Sequence, residues 1–219
     1  MESDDIGDRL ESWFRLQLPD ASDVEVDGLD RVEFGHSAEM LVLVLGWREG
    51  TVRHRSDVVL RIRPPEPGLL EPYDLDRQFR ILQALETTEV RAPRALWSEP
   101  SGEVLGRPFF VMERLDGAVY ERDVPPGADD DPLLIRQMCE SLVDQVAEIH
   151  LVDLEATRLG ALGDGRRYLS DELHRWEHEM RRVQKGRLPA LERLLAELRR
   201  QQPDQTARVT LVHLSLIHI

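Results

Sequence analysis

The first half of the chain carries its apolar residues in short alternating or continuous runs, which are typical of β-strands. Apolar and polar residues alternate over 24–32, residues 40–47 are almost all apolar, and residues 58–62 repeat that run after a polar turn around Glu49 and Gly50. Because the connections between these runs are short, the pattern predicts three consecutive strands joined as an antiparallel meander.

Helical spacing is found on both sides of this meander. Apolar residues recur at intervals of three to four over 5–18 and over 73–86, the second of these after a break rich in proline over 64–68. This periodicity predicts one amphipathic helix before the meander and another after it. Further strands are predicted near 95–97 and 108–113. We therefore expect a five-stranded sheet with one main helix inserted after the third strand.

The second half of the chain is dominated by helical periodicity. Long helices are predicted over 132–151, 170–184 and 189–201, after a solvated loop over 125–131, and a short strand is predicted over 209–213. Apolar stripes in two of these helices are interpreted as core. The stripes consist of Leu134, Met138, Leu142, Val146 and Ile149 in the first helix and Leu191, Leu194, Leu195 and Leu198 in the last.

Residues 108–117 separate the strand-rich half from the helix-rich half. Phe109, Phe110 and Val111 belong to a continuous aromatic and β-branched run, which predicts a strand buried on both faces, and Asp116-Gly117 then breaks it. A buried strand that stops between a sheet and a helical block suits a nucleotide base, whose edge needs backbone donors and acceptors in an apolar slot. An ordinary core strand has the same pattern.

Composition narrows the class of protein. The 219 residues are 41% hydrophobic and 32% charged with a net charge of −14, which indicates a globular protein that does not bind nucleic acid. Cys139 is the only cysteine, so no disulfide framework is expected. The acidic start lacks the features of a signal peptide, and no apolar run approaches membrane-spanning length, so we expect a cytoplasmic protein with no membrane partner.

The order of the predicted elements and several short motifs resemble the aminoglycoside phosphotransferase family. These motifs are a glycine-histidine-serine turn at 35–37, a third strand at 58–61, a helix at 77–85 and the run over 105–113, which is the most specific. The resemblance covers 32–213 and is closest to the small-molecule kinase domains related to those fused to acyl-CoA dehydrogenases. It implies an α+β, protein-kinase-like fold with a five-stranded antiparallel N-lobe sheet and an incomplete helical C-lobe.

In this fold the chain is expected to divide into an N-terminal helix over 1–23, an N-lobe and hinge over 24–117 and a partial helical C-lobe over 118–213. The resemblance implies that ATP and magnesium are the cofactors and that the substrate is a small molecule with a hydroxyl group, phosphorylated by transfer of the γ-phosphoryl group. It leaves the substrate's identity and the oligomeric state open.

The resemblance also implies which residues hold the nucleotide. The 35–37 turn covers the phosphates, Arg61 replaces the usual lysine, and backbone groups of Glu113 and Leu115 hold the base. Gln78 stands where the family has a glutamate that pairs with the cation, which predicts a weaker clamp, with Asp74 as a substitute. Without the resemblance, Arg61 is interpreted as a surface arginine at the end of a strand, and the 35–37 turn as an ordinary hairpin turn. The predicted cofactor-binding residues are Gly35, His36, Ser37, Arg61, Gln78, Met112, Glu113 and Leu115.

The family pattern is interrupted after Val212 and His213. The family continues with glycine and an aspartate that acts as catalytic base, whereas this chain continues with Leu-Ser-Leu-Ile-His-Ile over 214–219. We therefore expect 214–219 to be a non-native tail, the native chain to continue from His213, and residues 1–219 to be inactive alone. No catalytic residue and no metal ligand is assigned.

Functions of other classes remain as alternatives. His174, Glu177 and His178 match the inverted zinc-peptidase pattern on a predicted helix, but such a site needs a third ligand well downstream. A nucleotide-binding or interaction module without catalysis is the other alternative.

Overall fold

The computed structural model describes residues 3–32, 39–65, 73–120, 124–163, 165–203 and 208–213. The chain divides into two compact units, which separate between Glu148 and Ile149. This division falls later in the chain than the lobe boundary predicted after residue 117. Among the described residues, none of the helices combines the length and the apolar character that crossing a membrane requires.

The first unit is built on a five-stranded antiparallel sheet, which confirms the predicted fold class. Its strands lie in the order β1-β2-β3-β5-β4, so the first three form the predicted meander. The elements of this unit, in chain order, are α1 (Ser3–Gln17), β1 (Ser22–Val32), β2 (Glu39–Glu49), β3 (Val52–Ile62), α2 (Leu75–Leu85), β4 (Ala95–Glu99) and β5 (Phe109–Glu113).

One face of the sheet forms the main hydrophobic core with α1. Alternate residues of each strand point to this face because side chains in a strand alternate between the two faces. Trp13 of α1 lies edge-on to Phe109 of β5, with ring centroids 4.9 Å apart. The buried members of this core are Ile6, Leu10, Trp13, Phe14, Val24, Leu41, Leu43, Leu45, Val58, Leu60, Ile62, Leu105, Phe109 and Val111.

The opposite face of the sheet holds the residues between those core positions. In the β3–β5 pairing, Arg61 lies opposite Phe110 and Val59 lies opposite Met112, so these four side chains share one face. Helix α2 contacts this face through Phe79, whose ring lies 5.8 Å from that of Phe110. The face that carries the predicted phosphate-binding arginine is therefore the one next to α2.

The second unit is helical. After α3 (Pro132–Leu151), which begins in the first unit, come two short 3-10 turns, then α4 (Tyr168–Val183) and α5 (Pro189–Arg200). Glu177 of α4 is buried and receives a hydrogen bond from Arg199 of α5, so an ion pair joins these two helices.

Two expectations for the second half of the sequence were wrong. No residue of the fully described helices α3 and α5 is buried, and Leu142 and Leu194 are half exposed, so their stripes are not core here. The predicted strand over 209–213 is irregular, because no segment of the described chain pairs with it. The predicted loop over 125–131 is exposed at most of its described residues, as expected, and also contains a 3-10 turn in which Ala128 is buried.

Candidate nucleotide-binding site

Arg61 lies near the end of β3, on the face next to α2, and is half-buried. Its Nε and Nη2 atoms both donate to the Tyr73 hydroxyl oxygen, at 3.3 and 3.1 Å. No carboxylate of the described residues forms an ion pair with Arg61, in contrast to Arg107 and Arg114, which are paired with Glu39 and Asp57. The described site therefore contains a fixed cation whose charge is not neutralised by a direct ion pair.

The expected partners of Arg61 on α2 are not bonded to it. Gln78 is half-buried in the first turn of the helix, but among the described residues its side chain forms no hydrogen bond to Arg61. The suggestion that Asp74 substitutes for the missing glutamate was wrong, because Asp74 is the N-cap of α2 and its Oδ1 accepts from the Arg77 backbone N–H at 2.8 Å. The sequence did not indicate Tyr73 as a partner of Arg61, because neither a strand period nor a helix period relates the two positions.

Backbone groups at the end of β5 point alternately toward β3 and away from it. The Arg114 N–H donates to the Asp57 carbonyl of β3 at 3.2 Å, whereas the Glu113 N–H donates to the Arg94 carbonyl on the opposite side at 2.9 Å. Since residues in an extended segment point their polar groups to alternate sides, the Glu113 carbonyl also points away from β3. Leu115 is an exposed residue, and among the described residues its N–H has no hydrogen-bond partner.

The side chains near this edge are the apolar Met112 and an ion pair between Glu113 and Arg94. Met112 is half-buried and lies opposite Ala95 of β4, which is buried. The Glu113 carboxylate accepts from Nε of Arg94 at 3.2 Å, so this side chain points toward Arg94. The predicted role of Glu113 uses its carbonyl and does not depend on this ion pair.

The predicted turn at Gly35, His36 and Ser37 lies outside the described residues, but the strand that follows it is well anchored. Glu39, the first residue of β2, is bonded to Arg107 and lies 3.3 Å from Nη1 of Arg31. Arg107 also donates to the Arg63 carbonyl at 2.8 Å, just beyond the end of β3. This network, formed by Arg31, Glu39, Arg107 and the Arg63 carbonyl, joins the ends of four strands, β1, β2, β3 and β5. Arg107 belongs to the most specific predicted motif, yet sequence reasoning assigned it no role.

Metal-binding residues are not assigned in this structure. Within the described ranges, no three histidine, cysteine, aspartate or glutamate side chains come together in a way that could hold a metal ion. The zinc-peptidase alternative also loses its catalytic base, since the Glu177 carboxylate is bonded to Arg199 and lies 3.9 Å from Arg181.

A surface cavity of about 440 Å³ lies in the second unit. It is mainly apolar, is lined by the end of α4, the 184–188 connection and the start of α5, and contains none of the predicted nucleotide-binding residues. We assign no role to it, because it presents no buried polar group.

The sequence and the fold place the chain in one family. The model of the phosphotransferase enzyme family matches residues 42–214, and the chain belongs to that family. Among solved structures, the chain is similar to a proposed aminoglycoside phosphotransferase from Ralstonia eutropha JMP134, with a TM-score of 0.56 and 18% identity over 93% of this chain and 55% of that one. At this identity the similarity supports the fold alone.

The curated relatives carry acyl-CoA dehydrogenase names, as the predicted resemblance implied. Acyl-CoA dehydrogenase family member 10 of Mus musculus is 32% identical over 71% of this chain and 14% of its own length. Acyl-CoA dehydrogenase family member 11 of Rattus norvegicus is 28% identical over 71% of this chain and 20% of its own length. The chain therefore spans about a fifth or less of the length of these relatives.

Proposed function

We propose that this chain is the nucleotide-binding part of an ATP-dependent kinase that phosphorylates a hydroxyl group of a small molecule. Membership of the phosphotransferase family gives the reaction class. Phosphoryl transfer depends on positioning the phosphates and stabilising their charge, so a fixed cation beside the sheet is a necessary part of such a site.

The observation that carries the proposal is that Arg61 is half-buried and has no direct ion pair with a carboxylate of the described residues. Burying a cation without a carboxylate partner costs free energy, and that cost is offset when an anion binds there. The planar guanidinium can hold phosphate oxygens with two parallel hydrogen bonds, which the lysine ammonium cannot do. The position of Arg61 in the matched family region and its lack of a direct ion pair both support a phosphate-binding role.

The end of β5 supports the position of the base. A carbonyl and an N–H two residues apart on one side of an extended segment match the acceptor and donor along the adenine edge. In this proposal the Glu113 carbonyl and the Leu115 N–H supply these groups, and the half-buried Met112 supplies apolar surface. We propose that the adenine lies against this segment, with the phosphates toward Arg61.

For residues 1–219 alone, we propose nucleotide binding without phosphoryl transfer. His213 is followed by Leu214 and Ser215, where the family pattern has glycine and the catalytic aspartate. We therefore propose that residues 1–219 lack the base and the metal ligands that would activate and position the reacting groups.

Calorimetric titration with ATP tests nucleotide binding. We expect Arg61→Ala to weaken ATP binding by about tenfold or more, because a charge-assisted contact to phosphate is lost. Arg55→Ala is the matched control: Arg55 lies on the same strand and, by alternation, on the same face, about 20 Å from Arg61. Equal effects of the two substitutions would remove the support for Arg61.

Phosphoryl transfer is tested separately. A polypeptide that continues from His213 in the genomic reading frame is incubated with ATP, magnesium and a panel of small hydroxyl compounds, and ADP release is measured. We expect ADP release that depends on one substrate class and is absent for residues 1–219. Binding of ATP without transfer by the longer polypeptide would favour the non-catalytic alternative.

A further inference from the structure

We infer that Tyr73 is the positioning residue for the phosphate-binding arginine, an inference that rests on the proposed function. Tyr73 precedes Asp74, the N-cap of α2, and its hydroxyl oxygen accepts from two nitrogens of Arg61. The residue that holds the cation is therefore a phenol at the start of the helix and not an acidic or amide side chain within it.

The chemistry of a phenol partner differs from that of a carboxylate. A carboxylate cancels much of the guanidinium charge, whereas the hydroxyl is neutral and leaves that charge available to an anion. A guanidinium has five N–H donors, and two are used on Tyr73. Among the described residues, the remaining donors of Arg61 have no other partner, so they are available to phosphate oxygens.

The geometry also reduces the entropy that Arg61 loses when a phosphate binds. Arginine has a long flexible side chain, and a partner that holds its Nε and Nη2 atoms fixes the guanidinium plane before the ligand arrives. The start of α2 is itself fixed by the Asp74 cap at 2.8 Å, and the helix contacts the sheet through Phe79 and Phe110. Tyr73 thus connects the position of α2 to the orientation of Arg61.

The test removes one oxygen atom. Calorimetric titration of the Tyr73→Phe variant of the whole chain is expected to show ATP binding weakened about threefold to tenfold, as for loss of a hydrogen bond to a charged group. Adenosine, which has no phosphate, is expected to bind as it does to the wild-type chain. Tyr168→Phe is the matched control, because Tyr168 is an exposed tyrosine of the second unit, and we expect it to change neither affinity.

A double-mutant cycle separates positioning from a general effect on the fold. In an Arg61→Ala background, Tyr73→Phe is expected to have no further effect on ATP affinity, because the two residues act through one contact. Equal losses of ATP and adenosine affinity in Tyr73→Phe, or additive losses in the double variant, would overturn the inference.

Failure of the inference differs from failure of the proposed function. If the wild-type chain binds ATP and Arg61→Ala weakens that binding, but Tyr73→Phe does not, the positioning role is wrong and the proposed function stands. If the wild-type chain does not bind ATP at all, the proposed function fails and the inference fails with it.

Discussion

Asp153 shows how a single carboxylate orders a turn in the second unit. Its Oδ1 atom accepts from the backbone N–H groups of Glu155 and Ala156 at 2.8 and 3.0 Å, and its own carbonyl accepts from the Thr157 hydroxyl. The hydrogen bonds from Ala156 and Glu155 lower the pKa of Asp153, because they favour the charged form.

The sign of this shift predicts an acid-labile turn. A carboxyl whose pKa is lowered in the folded state contributes stability above its unfolded value, 3.8 here, and loses that contribution as the pH falls through the folded pKa. We expect the amide proton shifts of Glu155 and Ala156, measured by NMR, to titrate with a midpoint below 3.8. Asp153→Asn keeps an acceptor oxygen but cannot titrate, so this transition should be absent; its persistence would assign the shift to another group.

At the scale of elements, Arg107 contacts residues at the ends of two strands and lies just before a third. It is bonded to Glu39 at the start of β2 and to the Arg63 carbonyl after β3, and it lies just before β5. Because about a third of its side chain is exposed, water screens this ion pair in part. The contact to the Arg63 carbonyl adds a second bond that an isolated surface pair does not have.

Arg107→Met tests this network while keeping the apolar stem. We expect the first unit to lose about 1–2 kcal/mol of stability, since a half-buried carboxylate and a carbonyl both lose a donor. Arg31→Met is the control, because Arg31 contacts the same Glu39 but is 63% exposed, and we expect a change within about 0.5 kcal/mol. Urea unfolding followed by tryptophan fluorescence measures both; equal changes would mean that the bond to the Arg63 carbonyl contributes nothing.

The elements differ in how far the sequence alone predicts them. The strands of the first unit were predicted because each strand carries apolar residues that pack on the core face of the sheet. Strand β3 is longer than expected, because its polar first residues also pair with β2. The apolar stripes of α3 and α5 correctly predict helices, but a stripe does not specify which element packs against it. A strand such as 209–213 needs a partner that its own residues cannot indicate.

The candidate site shows the same limit. Arg61 was found through its motif, and the structure brings it to the face next to α2. Its partner was sought at Gln78, where the family resemblance places a glutamate, but the bond goes to Tyr73, which lies outside the helix. A contact between a strand and the residue before a helix cap depends on the path of the connection, which periodicity does not determine.

At the scale of the whole molecule, the two compact units have very different cores. Among the described residues, the buried apolar side chains of the second unit are Val152 and Leu159, whereas the first unit buries residues from α1 and all five strands. Because buried apolar area supplies most of the stability of a domain, the second unit should be much the weaker of the two. Exposed apolar residues along α3, such as Leu133 and Val143, add a tendency to aggregate.

We therefore expect residues 1–219 to unfold in two steps in urea, with the second unit first. Trp176 belongs to the second unit, whereas Trp13, Trp47 and Trp97 belong to the first, so a Trp176→Phe variant reports on the first unit alone. Subtracting its fluorescence from that of the wild-type chain isolates the signal of Trp176, which should change at the lower urea concentration. Coincident midpoints for the two signals would contradict this prediction and indicate one cooperative unit. Two domains that unfold independently and have such unequal cores should have different midpoints.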